Sequence, residues 1–209
     1  MTTTAARRDR QRQQLVEAAE RAIAEKGLAG LKARELAGEI GCALGALYNL
    51  VRDMDELVLR VGSRTLARLD VTLDRASQAA FSAAPQDAAG RLVAVALAYC
   101  AFARENPRLW RTLFEHRMAE GSEVPEWAVA EQMQLFRHIM APLADLLPQA
   151  GDQQRFLLGR TLFSAVHGVV AIGLEEKLVA VPRQELDRQI EALVRLVCAG
   201  LAAEPRLIR

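Results

Sequence analysis

The sequence predicts an all-α protein, and three observations support this prediction. Apolar residues recur at helical spacing along most of the chain, and no segment shows the two-residue alternation of a half-buried strand. Alanine, leucine, arginine and glutamate dominate the composition, whereas aromatic residues make up only 5% of the 209 residues. Glycines and prolines stand between the periodic segments, where they end or begin helices. We predict a three-helix head over residues 1–52 and a body of roughly six helices over residues 53–209.

The head is predicted to contain a helix-turn-helix. A first helix over about residues 8–26 ends at Gly27, and short helices follow over about residues 32–39 and 43–50. Gly41 supplies the left-handed turn between the two short helices. The apolar residues spaced to close their inner face are Leu36, Ile40, Cys42, Leu47 and Leu50. An ordinary helical hairpin buried in a core would give the same pattern, so both interpretations stand.

The body helices are predicted from their start and stop signals. Asp53 and Glu56 have the spacing of a capping box, and Pro107 occupies a first-turn position. Pro142 is expected to kink the helix that contains it. The predicted body helices begin at about residues 53, 86, 107, 126, 152 and 182.

Charge and motif content exclude several classes of protein. The net charge is +1, so any nucleic-acid contact must come from a local basic patch. The three cysteines are far apart, and we expect neither a metal nor a cofactor, since no metal-ligand spacing or catalytic constellation is recognisable. The first residues lack the apolar core of a signal peptide, and the apolar segment over residues 161–174 is too short to span a bilayer. We therefore expect a cytoplasmic protein that does not enter a membrane.

Most of the chain resembles a known family. Motif positions in the first 60 residues resemble, in order and spacing and without a gap, the head domain of the TetR family of bacterial transcriptional regulators. Two segments of the body resemble the C-terminal domain of a TetR subgroup with a Trp/Val-His-Gly stretch. The matching segments are Glu25-Lys-Gly27, Arg34-Glu-Leu-Ala37, Gly41-Cys-Ala-Leu-Gly45-Ala-Leu47-Tyr48, Tyr99–Pro107 and Val166-His167-Gly168. The resemblance implies a DNA-binding head, a ligand-sensing and dimerising body, and double-stranded DNA, a small-molecule effector and a second copy of the chain as partners.

The resemblance also implies which residues contact DNA. The family's capping Ser or Thr is replaced by Ala43, so the recognition helix lacks its side-chain cap. Tyr48 resembles the family's backbone-contacting tyrosine, although a half-buried packing role is the alternative. Arginines of the N-terminal arm can neutralise phosphates, or they can belong to a solvated tail. The candidate DNA-binding residues are Lys32, Arg34, Ala43, Leu44, Gly45, Ala46, Tyr48, Asn49, Arg7, Arg8 and Arg10.

Methionine and aromatic side chains in the body suit an adaptable apolar cavity, although such stripes are more often plain core. The candidate ligand-binding residues are Phe102, Trp110, Leu113, Phe114, Met133, Phe136, Phe163 and His167. His167 lies on an apolar helix face, where a satisfied core histidine is the alternative.

The helix from residue 152 is apolar nearly all round, and the last helix has a near-heptad apolar stripe. The pattern and the resemblance favour a four-helix dimer interface, with burial inside one chain as the alternative. The candidate interface residues are Leu162, Ala165, Val169, Ile172, Leu186, Ile190, Leu193 and Val197.

We expect a ligand-responsive DNA-binding transcriptional regulator, a repressor released from its operator by a small apolar or amphipathic effector. The apolar recognition helix favours one alternative, a regulator-fold ligand-binding protein with weak or degenerate DNA binding. An enzyme ranks third, because no catalytic constellation is recognisable.

Overall fold

The computed structural model describes residues 4–175 and 179–203, and within these ranges it contains helices and no strands. The α-helices of these residues are α1 (Thr4–Lys26), α2 (Ala33–Glu39), α3 (Leu44–Leu47), α4 (Met54–Ala83), α5 (Ala88–Glu105), α6 (Pro107–Glu115), α7 (Glu126–Gln134), α8 (Arg137–Leu146), α9 (Asp152–Gly173) and α10 (Leu186–Ala203). The predicted all-α fold is confirmed.

Several helix boundaries differ from the prediction. The helix expected from residue 126 to residue 147 is two helices, α7 and α8, and the break lies at residues 135–136 rather than at Pro142. Pro142 lies inside α8, since a proline removes one helical hydrogen bond but does not have to end the helix. The last helix starts at Leu186, after a short 3₁₀ turn at Arg183–Glu185. The described body therefore has seven helices where roughly six were expected.

The chain divides into two compact units. The first comprises Met1–Arg68 and Asn106–Glu131, and the second comprises Leu69–Glu105 and Gln132–Arg209. Helix α4 begins in the first unit and ends in the second. This division describes compactness, so the assignment of residues 1–52 and 53–209 to separate functions stays a prediction.

The core of the first unit joins α1, α2 and α3 to the start of α4. Its central side chains are fully or almost fully buried: Leu15, Ala19, Ile23, Leu36, Ala37, Leu47, Leu57 and Val61. Leu47 is the buried residue of α3, so this short helix is fixed to the core by one large side chain. The other residues of α3 are exposed or half-buried.

The core of the second unit lies among α5, α8, α9 and α10. Its large side chains that are 0% exposed include Leu143, Val170, Leu186, Ile190 and Val194. At the junction of α9 and α10, a Cβ built on Gly173 would lie only 2.3 Å from Cδ2 of Leu186. A side chain at position 173 would therefore force Leu186 to shift from its buried position.

Helix α9 is long and apolar enough, by length and composition alone, to cross a membrane, and only 28% of its most apolar window is buried within the chain. The apolar segment predicted over residues 161–174 forms most of this helix, whose first part also carries Asp152, Arg155 and Arg160. The core helix of a soluble protein, which is mostly buried, passes the same test. Much of the apolar surface of α9 is left uncovered by its own chain.

Candidate functional site

The helix-turn-helix forms as its glycine and apolar positions predict. Gly41 has φ +68°, in the left-handed region, and the following amide of Cys42 donates to the carbonyl of Ala37 at 2.9 Å. Ala43 then stands at the N-cap of α3 in extended conformation and makes no side-chain capping bond. The turn is thus set by Gly41, while α3 begins without the side-chain cap that Ser or Thr would supply.

The predicted recognition residues lie on the outward side of this element. Tyr48 is 46% exposed and Leu44 is 40% exposed, so Tyr48 is not packed between the head helices. Ala43, Gly45 and Asn49 are also exposed, and Ala46 is half-buried. This surface offers the Tyr48 hydroxyl and the Asn49 amide as its hydrogen-bonding side chains.

Lys32 and Arg34 lie at the start of α2 with exposed side chains. Lys32 is the N-cap residue, and its Nζ is 3.1 Å from Oε1 of Glu35. An ion pair between exposed side chains is weak and breaks easily, so the Lys32 ammonium group, like the exposed Arg34 guanidinium, is accessible to an anionic partner.

The predicted N-terminal arm is helical from Thr4 onward, so Arg7, Arg8 and Arg10 belong to α1 rather than to an extended arm. Arg8 Nη2 donates to the carbonyl of Asn49 at 2.5 Å, and Arg12 Nε donates to the carbonyl of Leu50 at 2.9 Å. The Arg8 side chain is therefore hydrogen-bonded to the turn that follows α3 rather than free in a solvated tail. These contacts join residues 41 and 38 positions apart, which no local sequence pattern reveals.

Helix α4 starts a few residues after α3, and two side-chain hydrogen bonds cap its N-terminus. Asp53 Oδ1 accepts from the amide of Glu56 at 2.7 Å, and Glu56 Oε2 accepts from the amide of Arg52 at 2.7 Å. The hydrogen bond from the backbone amide of Glu56, together with the nearby Arg52 guanidinium, lowers the pKa of Asp53. The predicted capping box is confirmed, with the Arg52 amide in place of that of Asp53 as the second donor.

An aromatic cluster forms in the second unit from side chains of α5 and α9 and from the residue that precedes α8. Its members are Tyr99, Phe136, Phe156, Phe163 and His167, with ring centroids 5.6–5.8 Å apart in the pairs Phe163–His167, Phe136–Phe163, Phe136–Phe156 and Tyr99–Phe163. The Tyr99 hydroxyl and His167 Nδ1 are 2.7 Å apart and hydrogen-bonded. Burial lowers the pKa of His167, which favours the neutral imidazole.

Three residues of the predicted ligand-binding set, Phe136, Phe163 and His167, meet in the aromatic cluster, whose Tyr99 and Phe156 were not predicted. Of the other predicted residues, Trp110, Leu113 and Phe114 are on α6 in the first unit, Met133 is exposed on α7, and Phe102 is buried on α5. Trp110 and Phe114 contact each other, with ring centroids 5.4 Å apart.

Three predicted dimer residues are already buried by their own chain. Leu186 and Ile190 are 0% exposed and Leu162 is 5% exposed, so they have no surface left to give to a partner. Leu193, Val169 and Val197 are half-buried, and Ala165 and Ile172 are exposed. Both α9 and α10 carry a mostly apolar stripe of exposed and half-buried residues at helical spacing. The stripe of α9 consists of Leu157, Thr161, Ala165, Gly168 and Ile172, and that of α10 consists of Ala192, Leu193, Leu196 and Gly200.

The thiols and carboxylates do not suggest a metal site. Cys100 and Cys198 are buried free thiols, and burial raises the pKa of each. Across residues 4–175 and 179–203, no group of three His, Cys, Asp or Glu side chains is placed to hold a metal ion.

Comparison with known proteins agrees with this architecture. The family described as tetracyclin repressor-like, C-terminal domain, matches residues 92–197, just over half of the chain. A protein of unknown function from Rhodococcus sp. RHA1 superposes with a TM-score of 0.70 at 24% identity, covering 92% of this chain and 95% of that one.

Two similar structures have more specific names. PfmR, a TetR family transcriptional regulator from Thermus thermophilus, gives a TM-score of 0.60 at 19% identity, with 90% and 98% of the two chains covered. RolR, in complex with resorcinol, gives 0.65 at 18% identity, with 98% and 95% covered. At such identities the likeness shows the fold, and the subgroup with the Trp/Val-His-Gly stretch stays a prediction. Together with the family match over residues 92–197, the fold shows that this chain belongs to the TetR family of transcriptional regulators.

Proposed function

We propose that the protein binds double-stranded DNA as a homodimer and represses transcription until a small apolar or amphipathic effector releases it. The observation that best supports DNA binding is the outward side of α3. It projects from a glycine-set turn, is fixed by Leu47, and leaves Tyr48 and Asn49 exposed. A short helix presented in this way is the usual reader of the major groove.

In the proposed complex, cations of the head contact phosphates and α3 contacts bases. Lys32, Arg34, Arg7 and Arg10 are exposed on the first unit and suit phosphate oxygens. Asn49 is the side chain suited to a bidentate hydrogen bond with adenine. Ala43, Leu44, Gly45 and Ala46 offer only apolar contacts, such as those with thymine methyl groups.

The same apolar surface favours a second candidate function, ligand binding with weak or degenerate DNA recognition. Selection from a random DNA pool, followed by titration of the selected sequence, distinguishes the two. Specific binding predicts a palindromic site with half-sites about 34 Å apart, one helical turn, and an affinity at least about a thousandfold above random DNA. Equal affinity for selected and random DNA would support the second candidate.

The dimer is supported by the uncovered apolar stripes of α9 and α10. Leu157 is 65% exposed, Ile172 is 50% exposed and Leu196 is 73% exposed, which is unusual for large apolar side chains on two neighbouring helices. A symmetric second copy would cover both stripes with the same pair of helices, as an isologous interface requires.

The effector site is proposed at the aromatic cluster. Phe136 and Phe163 provide apolar ring faces, and the Tyr99–His167 pair provides polar atoms that can exchange their mutual bond for one to a ligand. Resorcinol, which is bound by RolR, has an aromatic ring and hydroxyl groups, which suit the ring faces and the polar atoms of this cluster.

Calorimetry tests this switch. An effector that weakens DNA binding by some factor must itself bind the DNA-bound dimer less tightly than the free dimer, by that same factor. Titration of small phenols into free and DNA-bound protein should show this difference. A Phe163→Ala variant should weaken effector binding, whereas Phe81→Ala, at an exposed ring outside the cluster, should not. Equal effector affinity with and without DNA would contradict the proposed release.

A further inference from the structure

We propose that Arg8 and Arg12 are positioning residues that hold the recognition helix in place, rather than phosphate contacts. This inference rests on the proposed function, because it assigns to α3 the orientation in which it meets DNA. The two arginines and their acceptors, Asn49 and Leu50, are here called the arginine clamp.

The clamp is formed by one face of α1 and the turn that follows α3. Arg8 Nη2 lies 2.5 Å from the carbonyl oxygen of Asn49, and Arg12 Nε lies 2.9 Å from that of Leu50. Arg8 and Arg12 are four residues apart, so their side chains emerge on the same side of α1. Two successive carbonyls are therefore held by two successive turns of one helix.

Helix α3 is short, so such contacts support it in addition to the buried side chains of Leu47, Leu50 and Val51. It has four residues, its N-cap Ala43 makes no side-chain bond, and Leu47 is its buried residue. A helix this short does not form on its own, because nucleation costs more than so few hydrogen bonds return. Hydrogen bonds donated by a charged guanidinium are among the stronger ones in proteins.

The surroundings of the arginines argue against a phosphate role. The Arg12 side chain is 30% exposed and also lies 3.5 Å from Asp9 Oδ1. Each guanidinium directs one of its five N–H groups at a carbonyl of the turn after α3, a bond that a side chain acting only as a phosphate ligand would not need. Arg10 lies on the same helix with an exposed side chain, and it provides a control of identical chemistry.

The test compares Arg8→Met, Arg12→Met and Arg10→Met in the full-length protein. Each variant removes one positive charge from α1 and keeps an unbranched side chain with good helix propensity. Hydrogen exchange of the amides of residues 44–51, measured without DNA, reports the fixation of α3. We expect about tenfold faster exchange in Arg8→Met and Arg12→Met, as for loss of one charged hydrogen bond, and no change in Arg10→Met.

Binding to the selected DNA provides the second measurement. Arg8→Met and Arg12→Met should weaken binding about tenfold while leaving the slope of log affinity against log salt unchanged, because no phosphate contact is lost. A slope lower by about one unit, with unchanged amide exchange, would make these arginines phosphate ligands and overturn the proposal. Equal acceleration of exchange in Arg10→Met would also overturn it, since the effect would then belong to α1 in general.

The two measurements separate this proposal from the proposed function. If the wild type fails to bind DNA specifically while exchange still rises in the two clamp variants, the clamp stands and the DNA-binding role fails. If exchange is unchanged in both variants, the clamp is refuted whatever the protein binds.

Discussion

Replacing Leu196 with glutamate should dissociate the proposed dimer without unfolding the chain. Leu196 is 73% exposed on α10, so little of its side chain contributes to the core. Burying a whole leucine is worth about 1.5–3 kcal/mol, so covering its exposed part contributes about 1–2 kcal/mol in each protomer. In a symmetric interface both copies of Leu196 are covered, so together they contribute about 2–4 kcal/mol to dimer stability.

Glutamate removes this contribution and adds a charge that has no partner in the interface. The dissociation constant of the dimer should therefore rise at least about a hundredfold, which corresponds to about 2.7 kcal/mol. Sedimentation at micromolar concentration should give about twice 23.0 kDa for the wild type and close to 23.0 kDa for Leu196→Glu.

Val71→Glu is the matched control. Val71 is 49% exposed on α4, outside the stripes of α9 and α10, so the same charge there should leave the dimer intact. Circular dichroism of both variants should match the wild type. A Leu196→Glu protein that remains as dimeric as the wild type, or a wild type that is monomeric, would refute the assignment of this face.

Three further predictions follow from the local structure. Ala43→Ser should supply the missing cap of α3, since Ala43 has the extended conformation of an N-cap; we expect about 1 kcal/mol of added stability in urea denaturation and tighter DNA binding. Leu186→Ala should cost about 2–5 kcal/mol, because this fully buried side chain packs against Gly173; a cost under about 1 kcal/mol would contradict its inward position. Burial lowers the pKa of His167 below 6.5, so the unfolded chain binds a proton that the folded chain does not, and the free energy of unfolding should fall as pH drops through about 6.5. His167→Phe should flatten this dependence, and an unchanged pH profile would refute it.

The features that sequence reasoning predicted are the ones that local chemistry determines. Gly27 and Gly41 have φ of 70° and 68°, and both stand where the sequence placed the end of a helix or a turn. Asp53 and Glu56 cap α4 through contacts within four residues. The outward position of Tyr48 follows from the inward position of its neighbour Leu47.

The features that it missed depend on contacts between distant parts of the chain. Helices α9 and α10 are apolar on several sides, so periodicity could not show which side the chain itself buries. Leu186 and Ile190 turned inward, whereas Leu196 and Leu157, which were not chosen, are exposed. The bond from Arg8 to Asn49 is equally non-local, since arginines near a chain terminus have the same pattern whether they are solvated or fixed.

The open outward side of α3 makes its binding preference easy to change. A Cβ added at Gly45 would meet no atom within 4 Å, and Ala43 and Leu44 are exposed, so larger or more polar residues at these positions displace nothing from the core. Substitutions away from the core usually change stability by no more than about 0.5 kcal/mol. Under the proposed function, a single replacement at any of these three positions alters the contacts offered to DNA at almost no cost in folding. The protein is thus evolvable at its recognition surface, and it is a suitable scaffold for engineering a regulator with a chosen operator.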